Sequence, residues 1–190
     1  MKYELWYSVV VRDRHGKVLS RERRRSRSFL KQWNQLVYVQ VSGADLAITD
    51  IGGTPRTIEP YSGNFNTLRI AGNTECGIVV GTGNTPVAID DYVLETPIAE
   101  GTGVGEMNYL VCTVADYVVS APSCSYLVSR SVVNNSLGEI TVREAVIYVI
   151  SWSGAPPAKY LCLTRDVFDT PQAVPIGGTI TINWTKQVTA

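Results

Sequence analysis

Acid–base or nucleophilic chemistry in this chain would have to be built from very few parts. His15 is the sole histidine, and it lies in the turn-like run Asp13-Arg14-His15-Gly16 among basic neighbours. A general base must touch its nucleophile and be oriented by a third group, and an exposed turn imidazole does neither. The four cysteines, Cys76, Cys112, Cys124 and Cys162, are 36, 12 and 38 residues apart with no CxxC pair. Structural zinc takes four ligands in a tetrahedron, and this spacing does not suggest one. Buried free thiols in strands are the expectation, with one or two disulfides as the alternative outside a cell.

Oxygen ligands offer one more candidate. Asp90, Asp91 and Glu95 could hold a hard cation, but they lack the calcium-loop spacing. Turn and helix-start roles explain them as well. Two glycine stretches, GTGNTP (81–86) and GTGVGE (101–106), raise the possibility of phosphate binding. A phosphate fingerprint must open a helix, whereas strand-like sequence follows both stretches and no GK[ST] element is present. The expectation is therefore a non-enzyme, with no catalytic, cofactor-binding or metal-binding residue assigned and no small-molecule substrate.

The strongest chemical signal is charge. Residues 12–31 hold nine basic side chains against Asp13 and Glu22, a net +7 in a chain whose total is zero, so the remainder carries −7. Arg21, Arg23, Arg24, Arg25 and Arg27 form the core of this run. Three uses fit it: contact with nucleic-acid phosphates, docking on an acidic neighbour, or an edge strand protected from aggregation by like charge.

These residues must be positioned by a largely β scaffold. The 190 residues, 45% apolar and 18% charged, suit one globular domain. Residues 3–11 and 17–21 read as a hairpin around the 13–16 turn. SRSFLKQWNQLVYVQV (26–41) places Phe29, Leu30, Trp33, Leu36 and Val37 at helical spacing after a Ser28 N-cap, predicting one amphipathic helix over about residues 28–40. From Ser42 onward period-two patterns dominate. Short strands are expected at 46–51, 56–58, 68–70 and 76–80, and a single turn at 91–94. Longer strands are expected at 107–119, 125–133, 140–151, 160–164 and 179–188, with Gly154–Pro157 and Pro171–Gly178 as separators. Strands at this spacing indicate an antiparallel β-sandwich or a barrel. The expected organisation is a hairpin, basic segment and helix over 1–41, packed as one unit on a β domain over 42–190.

No stretch has the roughly eighteen consecutive apolar residues of a membrane span. MKYELWYSVVV lacks a signal peptide's unbroken apolar region, so synthesis in the cytoplasm without export is expected. Asn134-Asn135-Ser136 and Asn183-Trp184-Thr185 match a glycosylation pattern but would have no use there. Trp6, Trp33, Trp152 and Trp184 with ten tyrosines give ample surface for a core or a subunit interface.

Three segments together resemble structural proteins of viruses of bacteria and archaea. They are SRSFLKQWNQLVYVQV (26–41), GIVVGTGNTPVAIDDYVLETPI (77–98), and the close made of ITVREAVIYVI (140–150), YLCLTRDVF (160–168) and TPQAVPIGGTITINW (170–184). The resemblance implies a β-sandwich or jelly-roll-like subunit of an assembled particle, in a head, tail or other virion role, with no catalytic residues. The arginine cluster, Cys112 and Cys124 lie outside the shared pattern.

The combined expectation is a capsid-associated, tail or fibre subunit of a bacteriophage or archaeal virus. It would be a homo-oligomer made in the host cytoplasm and located in the virion. Its partners would be copies of itself and other virion proteins, with nucleic acid open through the basic segment. The alternative is a host-surface or carbohydrate-binding β-sandwich module.

Overall fold

The computed structural model describes residues 2–26, 29–152 and 158–190. Strands β1 (Lys2–Arg12) and β2 (Val18–Arg25) form the first hairpin. Asp13 closes it: its carboxylate accepts the N–H groups of His15 at 2.9 Å and Lys17 at 3.0 Å, and Gly16 takes φ 83°, a conformation that favours glycine. The hairpin does not project as an arm. β1 pairs over eleven residues with the last strand, β12 (Thr179–Thr189), so the two ends of the chain lie side by side. Alternation in β1 turns Leu5, Tyr7, Val9 and Val11 into the core.

Helix α1 (Lys31–Ser42) starts after an extended Leu30 that makes no side-chain cap bond. The expected cap, Ser28, lies outside the described residues. Gly43 ends the helix with φ 69°, its N–H reaching the Val39 carbonyl at 3.1 Å. The buried stripe is Gln32, Leu36 and Val39. Phe29 and Leu30 precede the helix, and Val37 faces out. The alternation of residues 36–41 is therefore carried by helix rather than strand.

β3 (Leu46–Thr49) and β4 (Pro55–Ile58) make a small ribbon. β5 (Gly77–Gly81), β10 (Ile140–Ser151) and β11 (Lys159–Val174) form a three-stranded sheet in the order β11-β10-β5. A seven-stranded sheet runs β2-β1-β12-β9, where β9 is Ser123–Val133, and ends in three short strands on β9. These are β6 (Asn108–Tyr109), β7 (Thr113–Val114) and β8 (Val118–Ser120). All strand pairs are antiparallel. The protein is mainly β with one short helix, an arrangement consistent with a β-sandwich.

Three expectations about strands need correction. Residues 107–119 are three fragments rather than one strand. Residues 68–70 contribute only an isolated bridge, Arg69 to Cys112. β11 continues through Pro171 instead of stopping at Thr164, because the register with β10 skips from Val167 to Gln172 and leaves the proline out of the ladder.

Contacts between the two large sheets mark the core. Trp184 is fully buried and its indole N–H reaches Asp166 at 3.3 Å. The Tyr109 hydroxyl donates to the Ile98 carbonyl at 2.8 Å. Fully burying such apolar side chains contributes about 1.5–3 kcal/mol each. The three-stranded sheet is covered on both sides: all five residues of β5 and most of β10 are buried. Three of the four cysteines are buried, and all four are free. Burial raises the thiols of Cys76, Cys112 and Cys162 above the ordinary range, which keeps them protonated and unreactive.

Candidate interaction surfaces

The expected interaction residues fall on β2. Its register places Ser20, Glu22 and Arg24 opposite Val11, Val9 and Tyr7, the inward residues of β1. Arg21, Arg23 and Arg25 oppose Val10, Ser8 and Trp6, and so share the outer face. Alternate residues of a strand are about 6.8 Å apart, so these three guanidinium stems form a row. Arg27 lies outside the described residues.

The inward members are engaged within the subunit. Glu22 accepts the Tyr7 hydroxyl at 3.0 Å and the Gln172 amide at 3.2 Å. Ser20 donates to Gln172 at 2.5 Å. Arg24 meets Glu22 at 3.4 Å and Asp169 at 3.2 Å, which ties the hairpin to β11. Arg25 pairs with Glu4 at 3.4 Å. Arg24 and Arg25 thus line a groove of about 1200 Å³ between the hairpin, β11 and residues 84–89. Carboxylates already answer both there, so the groove is bridged by ion pairs. Arg23 lies over the Trp6 ring, 5.2 Å from its centroid. Among the described residues, neither Arg21 nor Arg23 has a carboxylate partner.

The same outer face continues across β12 and β9 without charge. It presents Thr179, Thr181, Asn183, Thr185 and Gln187 beside Ser131, Ser129 and Ser125. These groups satisfy one another laterally: Ser131 with Thr181 at 2.7 Å, and Ser129 with Asn183 at 2.7 Å. Sequence reasoning missed this face, although the period-two serines of 123–131 and threonines of 179–189 were a sufficient signal.

Beyond β9 the sheet ends differently. Residues 99–122 contain Glu100, Glu106 and Asp116 and no basic residue. Leu110, Val111, Tyr117, Val118 and Val119 are exposed there, Val119 at 73%. This is an apolar edge, with Asp116 exposed on it and Arg69 beside it through the bridge to Cys112.

The other chemical candidates have partners within the chain. Asp91 accepts from Arg165 Nη1 at 2.8 Å, and Glu95 lies 3.7 Å from Nη2. The buried Glu144 accepts from Arg165 Nε at 2.8 Å. Hence the positive charge beside Asp91 and Glu95 is a guanidinium, supplied 74 residues away. Burial alone would lower the Arg165 pKa, but the bonds to Glu144 and Asp91 hold it above its ordinary value. Glu95 is held below the usual carboxylate range by its hydrogen bond from Thr85. Asp90 is not part of this cluster. Glu144 also accepts the N–H groups of Gly83 at 3.1 Å and Thr96 at 3.0 Å. Glu106 likewise accepts the Gly103 N–H at 2.8 Å. The amides of both glycine stretches therefore face carboxylates of the chain itself. His15 is exposed at the hairpin tip, where its Nε2 accepts from Arg14.

No helix among the described residues is long and apolar enough to cross a membrane. No protein-family model, curated protein or solved structure matches the chain.

Proposed function

We propose that this chain is a structural subunit of a virus particle, a capsid-associated, tail or fibre protein that assembles with copies of itself. One observation carries the reading: among the described residues, Arg21 and Arg23, which have no carboxylate partner, lie at one edge of the seven-stranded sheet, and a run of exposed apolar side chains, Tyr117 to Val119, lies at the other. A protein that presents unlike edges on a fixed frame is suited to repeated contact. The resemblance of residues 26–41, 77–98 and 140–184 to virion structural proteins supports the same reading. In it the subunit is jelly-roll-like. The product would be made in the host cytoplasm and end in the virion.

Light scattering over a concentration series, followed by negative-stain imaging, tests this. Assembly beyond the 20.8 kDa monomer is expected. A sample that stays monomeric when concentrated, alone and with its neighbouring gene products, refutes it.

The arginine row favours a second reading, contact with nucleic acid, because its spacing of about 6.8 Å suits successive phosphates. A gel shift that weakens steeply with salt is its signature. The carbohydrate-binding alternative draws support from Tyr61, which is 47% exposed and 5.3 Å from the Trp152 ring. A glycan array would test it.

A further inference from the structure

We infer that the outer face of the seven-stranded sheet binds single-stranded nucleic acid, with the strand's backbone along the arginine row and a base stacked at Trp6. The inference rests on the nucleic-acid reading above and names the site and the form of the strand.

Alternation assigns this face. Arg21, Arg23 and Arg25 of β2 lie opposite Val10, Ser8 and Trp6 of β1, and Arg12 follows Val10 two places on. Across β12 the same face carries Thr181, Asn183 and Thr185, opposite Val10, Ser8 and Trp6. All four arginines are exposed. Among the described residues, Glu4 is the one carboxylate on this face of β1, β2, β12 and β9, and Arg25 pairs with it at 3.4 Å. Arg12 donates to the Gly16 carbonyl at 2.9 Å. Like Arg21 and Arg23, it has no carboxylate partner among the described residues.

The composition of the face selects the partner. A protein interface has an apolar centre depleted of charge, whereas the neighbours of these arginines are Ser8, Thr181, Asn183 and, one strand further, Ser129 and Ser131. Interfaces with nucleic acid are more polar and more positive than those between proteins. Arginine with hydroxyl and amide side chains is the set that contacts phosphate and sugar. The face also has a stacking element. Arg23 lies over the Trp6 ring, 5.2 Å from its centroid, and bases stack on aromatic rings and on guanidinium planes alike.

Shape selects a single strand over a duplex. Reading a duplex takes a helix or a two-stranded ribbon that enters its groove. Helix α1 sits on the other side of the sheet, where Trp33 covers the inward Lys186. The β1–β2 hairpin is held within the sheet by β12. Trp6 can stack an unpaired base and has no such role with a paired one.

Fluorescence anisotropy across a salt series tests the site with three labelled probes: an oligothymidylate, a duplex of the same length, and polyglutamate. The oligothymidylate should bind about tenfold or more tightly than either of the others, and more weakly as salt rises. Arg21→Ser with Arg23→Ser should weaken it about tenfold or more at low salt. The slope of log K against log salt should flatten by about 1.4, two phosphates at about 0.7 each. Trp6→Leu should weaken it about tenfold with the slope unchanged, and Trp6→Tyr should keep most of the affinity. Circular dichroism and melting check that each variant folds. If Trp6→Leu does not, ultraviolet crosslinking of the strand to the parent protein decides, with the adduct expected on a peptide of β1 or β2 and an adduct elsewhere overturning the site. Equal binding of the duplex, or a folded Trp6→Leu as tight as the parent, overturns the inference and leaves contact with nucleic acid standing. Equal binding of polyglutamate assigns the row to an acidic protein and overturns both. A parent protein that binds no oligonucleotide refutes the nucleic-acid reading itself.

Discussion

Lys186 provides the sharpest test of the packing described here. It lies on the inner side of β12, only 5% exposed. Its ammonium sits 4.2 Å from the centroid of Trp33 and 5.7 Å from that of Tyr126. Burial lowers its pKa from 10.5 to about 8. That difference corresponds to about 3 kcal/mol in favour of the neutral amine. The ring contacts oppose it by about 1–2 kcal/mol. Charged Lys186 therefore destabilises the native state by about 1–3 kcal/mol at pH 7.

The sign follows from proton counts. Between pH 8 and 10.5 the unfolded chain holds a proton on Lys186 that the folded chain has released, so stability rises with pH across that window. Below pH 8 the penalty is fully present, and above 10.5 it is gone. Buried tyrosines act the other way: Tyr3, raised to about 12 mainly by burial, favours the folded state less as pH climbs past 10. The substitution Lys186→Met separates the two, because the tyrosines remain in both proteins. Urea unfolding at pH 7 should find Lys186→Met more stable by about 1–3 kcal/mol. The difference should shrink towards zero or reverse by pH 10. If Lys186→Met is less stable at pH 7, or the difference is flat from pH 7 to 10, the ammonium is not buried among those rings.

Two further substitutions probe the polar interior. Glu144→Ala removes the acceptor of Arg165 and of the Gly83 and Thr96 amides, and should cost about 3–5 kcal/mol by leaving a buried cation short of a partner. Hydrogen exchange at residues 83 and 96 should accelerate more than at β12, and equal acceleration everywhere would contradict a local strut. Gln32→Met should instead stabilise by about 1–2 kcal/mol in a thermal melt, because among the described residues neither amide atom of the buried Gln32 has a hydrogen-bond partner. A lowered melting temperature would show that the amide is satisfied in solution.

Much of the scaffold is visible in local patterns, and the failures have physical causes. Alternation located β9, β10 and β12 because each has one face or both in the core. The same rule broke 107–119 wrongly into one strand, since an edge with a solvent-facing apolar surface has the composition of a buried one. Pro171 suggested a stop, yet a bulge absorbs it. The arginine cluster was plain in the sequence, but the division of labour within it was not. Strand phase sends Arg24 inward to Asp169 and leaves Arg21 and Arg23 outside, and phase depends on the register with β1. Glu144 in VREAVIY has the look of a solvated residue. Only the cover of residues 82–98, held by a partner 21 positions on at Arg165, makes it a buried acceptor.

Three of the buried polar groups share a position: Glu144 with Arg165, Arg130, and Asn134 each reach backbone where the sheets give way to irregular chain. Glu144 and Arg165 hold residues 83–96. The fully buried Arg130 donates to the carbonyls of Leu110 at 2.7 Å and Ile78 at 2.9 Å, fixing the entry to β7 against β5. Asn134 donates to the Gly138 and Val174 carbonyls, both at 2.8 Å. Burying such groups is costly unless they are bonded, and here most of the bonds go to backbone of the segments between strands. Loops fastened from the inside lose little freedom when a surface docks, so less of the contact energy is consumed in ordering them. The edges of the seven-stranded sheet therefore present their side chains from a frame already set. In the proposed assembly that rigidity lets a modest contact repeat with a constant geometry from one subunit to the next.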